Sequence, residues 1–239
     1  MDVGATDLAG TELDAVVLAG GQAARLGGVD KPALRVGAVS LLGTVLTAAA
    51  AAGAARIVVV GPDRPSLTPR PAGLRVVRED PPGGGPVPAL VAGLAEVSAP
   101  WLLLLAADLP FLRPEPLAAL LAAARRAEAP GAVLADDGGR PQWLLSCWRT
   151  GALRQAAALP GGALPAPPEG HPGAGRRSGG SLHGLLGPLR PAVLSLPAGP
   201  GPPPWLDCDT PADVHATQTW STAEPGLYEP ASSQGRTPR

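Results

Sequence analysis

Apolar positions fall into two kinds of run along the first two thirds of the chain. Short apolar runs read as strands: Leu13–Ala19 (LDAVVLA), Arg56–Val60 (RIVVV), Leu74–Arg78 and Trp101–Ala107 (WLLLLAA), the first and last of them as buried ones. The first stops at Gly20-Gly21 and the second at Gly61-Pro62. Longer Ala/Leu-rich segments read as helices: Leu41–Ala52, Pro88–Val97 and Pro114–Glu128. The last opens on Pro and Glu, as helix starts prefer. Val133–Ala135 and Trp143–Cys147 fit further strands. Strands separated by helices predict an α/β fold of three layers, a mostly parallel central sheet with helices on both faces. Ligands of such sheets bind beyond the carboxyl ends of the strands, near the point where strand order reverses. The loops after Ala19, Arg78 and Ala107 are therefore where chemistry is expected.

The periodic signal lapses from about Leu159 to Ser178, a stretch rich in Pro, Gly and Arg. Ser181–Leu189 reads as a helix and Ala192–Leu196 as a strand. A loop at Gly199–Pro204 leads to Trp205–Asp209 and a short helix from Pro211 to about Thr219. The expected organisation is an N-terminal tail (1–12), one domain (13–220) carrying a Pro/Gly-rich loop (159–178), and a disordered tail (221–239).

Composition alters this picture at one point. The 239 residues include 32 Gly and 31 Pro, a proportion that ordinarily signals low complexity. Yet 45% are hydrophobic and the formal net charge is only -1, so the chain has neither the low hydrophobicity nor the high charge of a disordered one. One Lys, one Ile, one Tyr, one Phe and no Asn, beside abundant Ala, Gly, Pro and Arg, read as a coding bias. Against that background a rare residue is informative, and the sole lysine is Lys31.

Near-neutral charge argues against a nucleic-acid binder, which would present a basic face. Cys147 and Cys208 match no metal or redox spacing. Residues 1–12 carry Asp2, Asp7 and Glu12 with no basic residue, unlike a secretory leader. Val39–Ala55, mostly alanine with Ser, Thr and Gly, is a poor membrane span. A cytoplasmic protein with no membrane partner is expected.

The loop after the first strand reads Leu18-Ala19-Gly20-Gly21-Gln22-Ala23-Ala24-Arg25-Leu26-Gly27-Gly28-Val29-Asp30-Lys31-Pro32. Paired glycines let backbone N–H groups approach an anion without a Cβ in the way. Arg25 can grip a phosphate bidentately and Lys31 adds a point charge. The segment is neither GxGxxG nor a Walker A sequence. In the second loop, Arg78-Glu79-Asp80-Pro81-Pro82-Gly83-Gly84-Gly85-Pro86, the acidic residue Asp80 can cap, pair with Arg or bind a ligand. Asp108, at the end of WLLLLAAD, can cap the next helix, pair with Arg or hold a metal at the sheet edge. In Asp207-Cys208-Asp209-Thr210-Pro211, Thr210 suits an N-cap and Pro211 the first helical position.

LAGG-x3-R-x-GG-x-DKP after an N-terminal strand resembles the signature of the nucleotidyltransferases similar to molybdenum cofactor guanylyltransferase. Asp80 with Gly85-Pro86, the strand-Asp-x-Pro-Phe pattern at Asp108, and Asp209-Thr210-Pro211 match that family's later motifs. Val87-Pro88-Ala89-Leu90 departs from the Leu-Ala-Gly that often follows Gly-Pro, and Gly61 stands where relatives often carry a polar side chain. The resemblance implies a Rossmann-like nucleotidyltransferase fold and attack of an acceptor phosphate on the α-phosphorus of a nucleoside triphosphate. It implies nucleotide contacts from Leu18, Ala19, Gly20, Gly21, Arg25, Lys31, Asp80 and Asp108, with Arg25, Lys31 and Asp108 catalytic. Asp108 and Asp209 would hold Mg²⁺. LAGG resembles the guanylyl branch, whereas related cytidylyltransferases more often read LAAG. GTP and molybdopterin are thus the implied substrates, with molybdoenzymes or their chaperones as possible recipients of the product. The alternatives are a cytidylyltransferase, another nucleotidyltransferase with a different phosphorylated acceptor, or a non-catalytic nucleotide-binding partner of molybdoenzyme assembly.

Overall fold

A computed structural model describes residues 12–20, 30–36, 38–158, 180–197 and 201–208. Its centre is a seven-stranded sheet: β1 (Leu13–Leu18), β4 (Arg56–Val60), β5 (Leu74–Val77), β6 (Trp101–Ala106), β7 (Gly131–Ala135), β8 (Pro141–Arg149) and β9 (Ala192–Ser195). The spatial order is β5-β4-β1-β6-β8-β7-β9. A separate two-residue hairpin, β2 (Arg35–Val36) with β3 (Val39–Ser40), precedes the first helix and has no counterpart in the hydrophobic pattern.

The apolar runs of β1, β4 and β6 become central strands because both of their faces are covered, while the run at Leu74 forms the half-buried edge strand β5. Along β1, Ala15 and Val17 point into one core and Val16 and Leu18 into the other, and Leu102–Leu105 of β6 divide in the same way. The first core is closed by α1 (Leu41–Ala51) and α3 (Pro114–Arg126), through Leu42, Leu46, Leu117 and Leu120. The second is closed by α2 (Pro86–Glu96), α4 (Thr150–Ala158) and α5 (Leu182–Leu186), through Leu90, Leu94, Leu153 and Leu186. Ser40 caps α1 by accepting from the Gly43 N–H at 3.0 Å. Gly93 lets α2 lie on the sheet, since a Cβ there would stand 2.6 Å from Val16 Cγ1.

The α/β architecture and three layers agree with expectation. One strand reverses direction, however: β8 runs antiparallel to both β6 and β7. The cause is the short link from β7, where Asp136 Oδ1 accepts from the N–H groups of Gly138 and Arg140, both at 2.9 Å. A parallel return needs a crossover of a dozen or more residues, so this turn closes a hairpin instead. The segment expected as one helix at Ser181–Leu189 divides into α5 and a 3-10 turn, Gly187–Leu189. Helix α4 has no sequence signal of its own; it starts directly from the end of β8, anchored by Thr150 Oγ1 donating to the Ala99 carbonyl at 2.7 Å. The expected tails, the 159–178 loop and the helix at 211–219 lie outside the described residues. Among the described residues no helix is long and apolar enough to cross a membrane.

Candidate active site

From β1 the chain moves outward through β4 to β5, then returns to the other side of β1 to form β6. Strand order therefore reverses between β1 and β6, and the crevice beyond their carboxyl ends is the natural ligand site. Leu18, Ala19 and Gly20 lie at that edge. Ala19 N–H donates to the Val60 carbonyl at 2.8 Å, and Ala107 N–H donates to the Leu18 carbonyl at 3.2 Å, so the ladder holds the loop's first residues rigidly. Gly61 presses on the same backbone: its φ is +154°, and a Cβ there would meet the Ala19 carbonyl carbon at 2.8 Å. A side chain at this position would press on the Ala19 backbone.

Lys31 enters from a 3-10 turn (Lys31–Ala33) and Asp108 from the turn after β6. Their side chains meet, Nζ to Oδ2 at 2.5 Å, across 77 positions of sequence. Both are only partly exposed, 17% and 23%, so the pair sits at the crevice wall rather than in bulk water. Gly21, Arg25 and Asp209 lie outside the described residues.

A metal fits this arrangement in a limited way. The described residues contain no cluster of three or more His, Cys, Asp or Glu suited to holding an ion. Mg²⁺ does not require such a cage, because one or two carboxylates with substrate phosphates suffice. Asp108 offers hard oxygens at the crevice, and Asp207 lines the same cavity.

Sequence reasoning missed two side chains at this edge. The first is Glu79. In the loop after β5 its neighbour Asp80 is exposed, whereas Glu79 is buried, with 6% of its surface accessible. Glu79 Oε1 accepts from the Gly83 N–H at 2.9 Å and would lie 3.5 Å from a Cβ on Gly20. Its Oε2 is buried and has no hydrogen-bond partner among the described residues. The strand register decides which of the two acids turns inward, and no local signal distinguishes them. The second is Arg64, which reaches from the loop after β4 to Ala19 and Asp30.

Beside Asp108 opens a cavity of about 480 Å³. Its walls include Gln142, Trp143, His183 and Trp205. Because β8 is antiparallel, its first residues, not its last, stand at the carboxyl edge, and that puts Gln142 and Trp143 beside Asp108. Trp143 and His183 pack edge to face, with ring centroids 5.6 Å apart. Sequence reasoning gave no histidine a role, and nothing in spacing announces His183.

A family model described as the MobA-like NTP transferase domain matches residues 15–166. The chain belongs to that family. Its activity is accordingly that of a nucleotidyltransferase, and a nucleoside triphosphate is its substrate class. No curated protein matches the chain. Among solved structures, molybdopterin-guanine dinucleotide biosynthesis protein A from Archaeoglobus fulgidus is 19% identical, with a TM-score of 0.59 over 86% of this chain and 97% of that one. The 2-C-methyl-D-erythritol 4-phosphate cytidylyltransferase from Thermus thermophilus is 20% identical, with a TM-score of 0.60 over 89% of this chain and 100% of the other. Rv0371c from Mycobacterium tuberculosis is 23% identical, with a TM-score of 0.61 over 87% and 99%. At such identities the likeness is one of fold, and it is equal on the guanylyl and cytidylyl sides.

Proposed function

We propose that this NTP transferase moves GMP from GTP to the terminal phosphate of molybdopterin, in the cytoplasm, releasing pyrophosphate and forming the guanine dinucleotide cofactor. The observation that carries the reading is the Lys31–Asp108 pair at the point where strand order reverses. Phosphoryl-type transfer asks a protein for positioning and charge neutralisation more than for a nucleophile of its own. A terminal phosphate oxygen of the acceptor forms the new bond to the α-phosphorus. The bond from that phosphorus to the α,β-bridging oxygen breaks, and pyrophosphate carries away the electron pair. Gly20 and Gly21 lend backbone N–H groups to the triphosphate. Arg25 and Lys31 stabilise the charge growing on the leaving group. Asp108, with Asp209, would hold Mg²⁺, which when bound supplies further neutralisation of the phosphate oxygens.

Glu79 supports guanine. On its pairing edge guanine presents N1–H and the 2-amino group side by side, and a carboxylate accepts both. Cytosine presents one amino donor there and uracil one imide donor. Glu79 therefore takes a base-reading role, beside Asp80, at which the resemblance implied a nucleotide contact. The acceptor is argued from the cavity beside Asp108: Trp143, His183 and Trp205 offer flat aromatic surface to a fused-ring compound such as a pterin.

The deciding experiment measures pyrophosphate release from GTP, CTP, ATP and UTP with molybdopterin and Mg²⁺. GTP is expected to lead in kcat/KM. A preference for CTP overturns the guanylyl assignment, and turnover only with a sugar phosphate overturns the acceptor.

A further inference from the structure

Arg64 is the most heavily engaged cation among the described residues, and the reaction as described gives it no part. Its guanidinium donates Nε to Asp30 Oδ2 and Nη2 to Asp30 Oδ1, both at 2.7 Å. Nη2 also donates to the Ala19 carbonyl at 3.1 Å, and Nη1 to the Pro62 carbonyl at 3.1 Å. The Arg64 side chain is 8% exposed, against 48% for Asp30. Its own backbone is pinned, since its carbonyl accepts from Leu67 N–H at 2.9 Å and Arg70 Nη1 at 3.3 Å.

The partners are what give this contact meaning. Ala19 is the last residue of the rigid ladder before Gly20, and Asp30 directly precedes Lys31. One planar fork therefore bonds the two residues that flank the glycine-rich segment 20–29. The bidentate pair fixes where Asp30 stands, and with it the starting point of the turn that presents Lys31 to Asp108. It also neutralises the Asp30 carboxylate directly before Lys31. An ordinary surface ion pair does none of this, because it leaves its cation solvated and its geometry loose.

We propose that Arg64 is a positioning residue that clasps Ala19 to Asp30 and thereby aims Lys31 at the nucleotide. The proposal rests on the reading of residues 18–31 as the triphosphate loop. Lysine at position 64 keeps the charge but cannot form the fork, so charge and geometry are separable.

Lys31 is the only lysine, which provides a readout independent of catalysis: the rate at which an acylating reagent modifies its ε-amine, followed by mass spectrometry. Arg64→Ala is expected to raise that rate about tenfold, to raise the nucleotide KM about 10- to 100-fold, and to lower kcat less. Arg64→Lys should recover little of either, and millimolar guanidinium should partly restore Arg64→Ala. Asp30→Asn, altering a half-exposed side chain, repeats the kinetic defect in weaker form and keeps the test alive if Arg64→Ala does not fold. Arg64→Ala or, failing that, Asp30→Asn with an unchanged Lys31 acylation rate and unchanged KM overturns the clasp. Full recovery by Arg64→Lys also overturns it, since charge alone would then suffice. A parent protein that binds no nucleotide by calorimetry refutes the triphosphate reading instead, while the acylation rates still report on Arg64.

Discussion

The two ends of the central sheet treat buried carboxylates in opposite ways. At the amino edge Asp14 is 2% exposed and accepts three backbone N–H groups, from Arg56 at 3.2 Å, Ser98 at 2.8 Å and Ala99 at 2.9 Å. Both its oxygens are engaged and it ties the starts of β4 and β6 to β1. At the carboxyl edge Glu79 is nearly as buried but one of its oxygens has no partner among the described residues, and Asp108 meets a lysine instead of the backbone. Burying a polar group without a partner costs stability, and among the described residues that cost falls at the carboxyl edge, the candidate ligand edge. Cavities lie at both ends, about 370 Å³ beside Asp14 and about 480 Å³ beside Asp108. Size therefore does not separate the two ends; the state of the carboxylates does.

The comparison breaks most visibly at Asp108. Asp108→Asn keeps the shape and removes the charge, and kcat for pyrophosphate release should fall about 10²- to 10³-fold. Its melting temperature should stay close to the parent's. A variant with near-parental kcat would leave the carboxyl edge without chemistry.

Asp14→Ala tests the opposite edge. Stranding the N–H groups of Arg56, Ser98 and Ala99 should cost about 3 kcal/mol in urea unfolding. The kcat of the folded variant should stay within about twofold of the parent, because the site lies at the far end of the strands. A selective loss of turnover would erase the distinction between the two ends.

Glu79→Gln sharpens the contrast between a satisfied and an unsatisfied acid. The preference for GTP over CTP in kcat/KM should shrink about 10- to 30-fold, as expected for losing one charged hydrogen-bond partner. Stability should hold or rise. A stable variant with unchanged selectivity removes Glu79 from base recognition.

The smallest effect is expected at Trp143. Trp143→Ala should raise the acceptor KM about tenfold while leaving the nucleotide KM in place, in keeping with one lost stacking contact. A change in nucleotide KM alone would move the cavity to the nucleotide side.

Legibility along the chain followed how local each cause was. β1, β4 and β6 were readable because a strand covered on both faces is apolar at nearly every position, the exceptions Asp14 and Arg56 standing at the amino ends. α3 was readable from Pro114, Glu115 and the Leu117/Leu120/Leu121 stripe. α4 and the reversed direction of β8 were not, although the strand itself was read at Trp143–Cys147, since a contact to Ala99 and a tight turn at Asp136 decide them, and neither alters hydrophobic periodicity. Boundaries shifted by two residues at α2, where Gly85 with φ +100° starts the helix at Pro86. In the site, the loop of residues 18–31 and Asp108 stood out by motif. Arg64 did not, because one arginine among many in an Arg-rich chain carries no signal until Ala19 and Asp30 are seen around it.

By itself the sequence determined the class of fold, and it pointed to three loops and to its single lysine as candidates for chemistry. These depend on composition and spacing, which are local properties. The tertiary structure alone decided that Lys31 meets Asp108, that Glu79 rather than Asp80 faces Gly20, and that Arg64 joins the two sides of the loop. Each of those depends on strand register and on side chains brought together from distant positions, and burial gives them their strength by excluding the water that would otherwise compete.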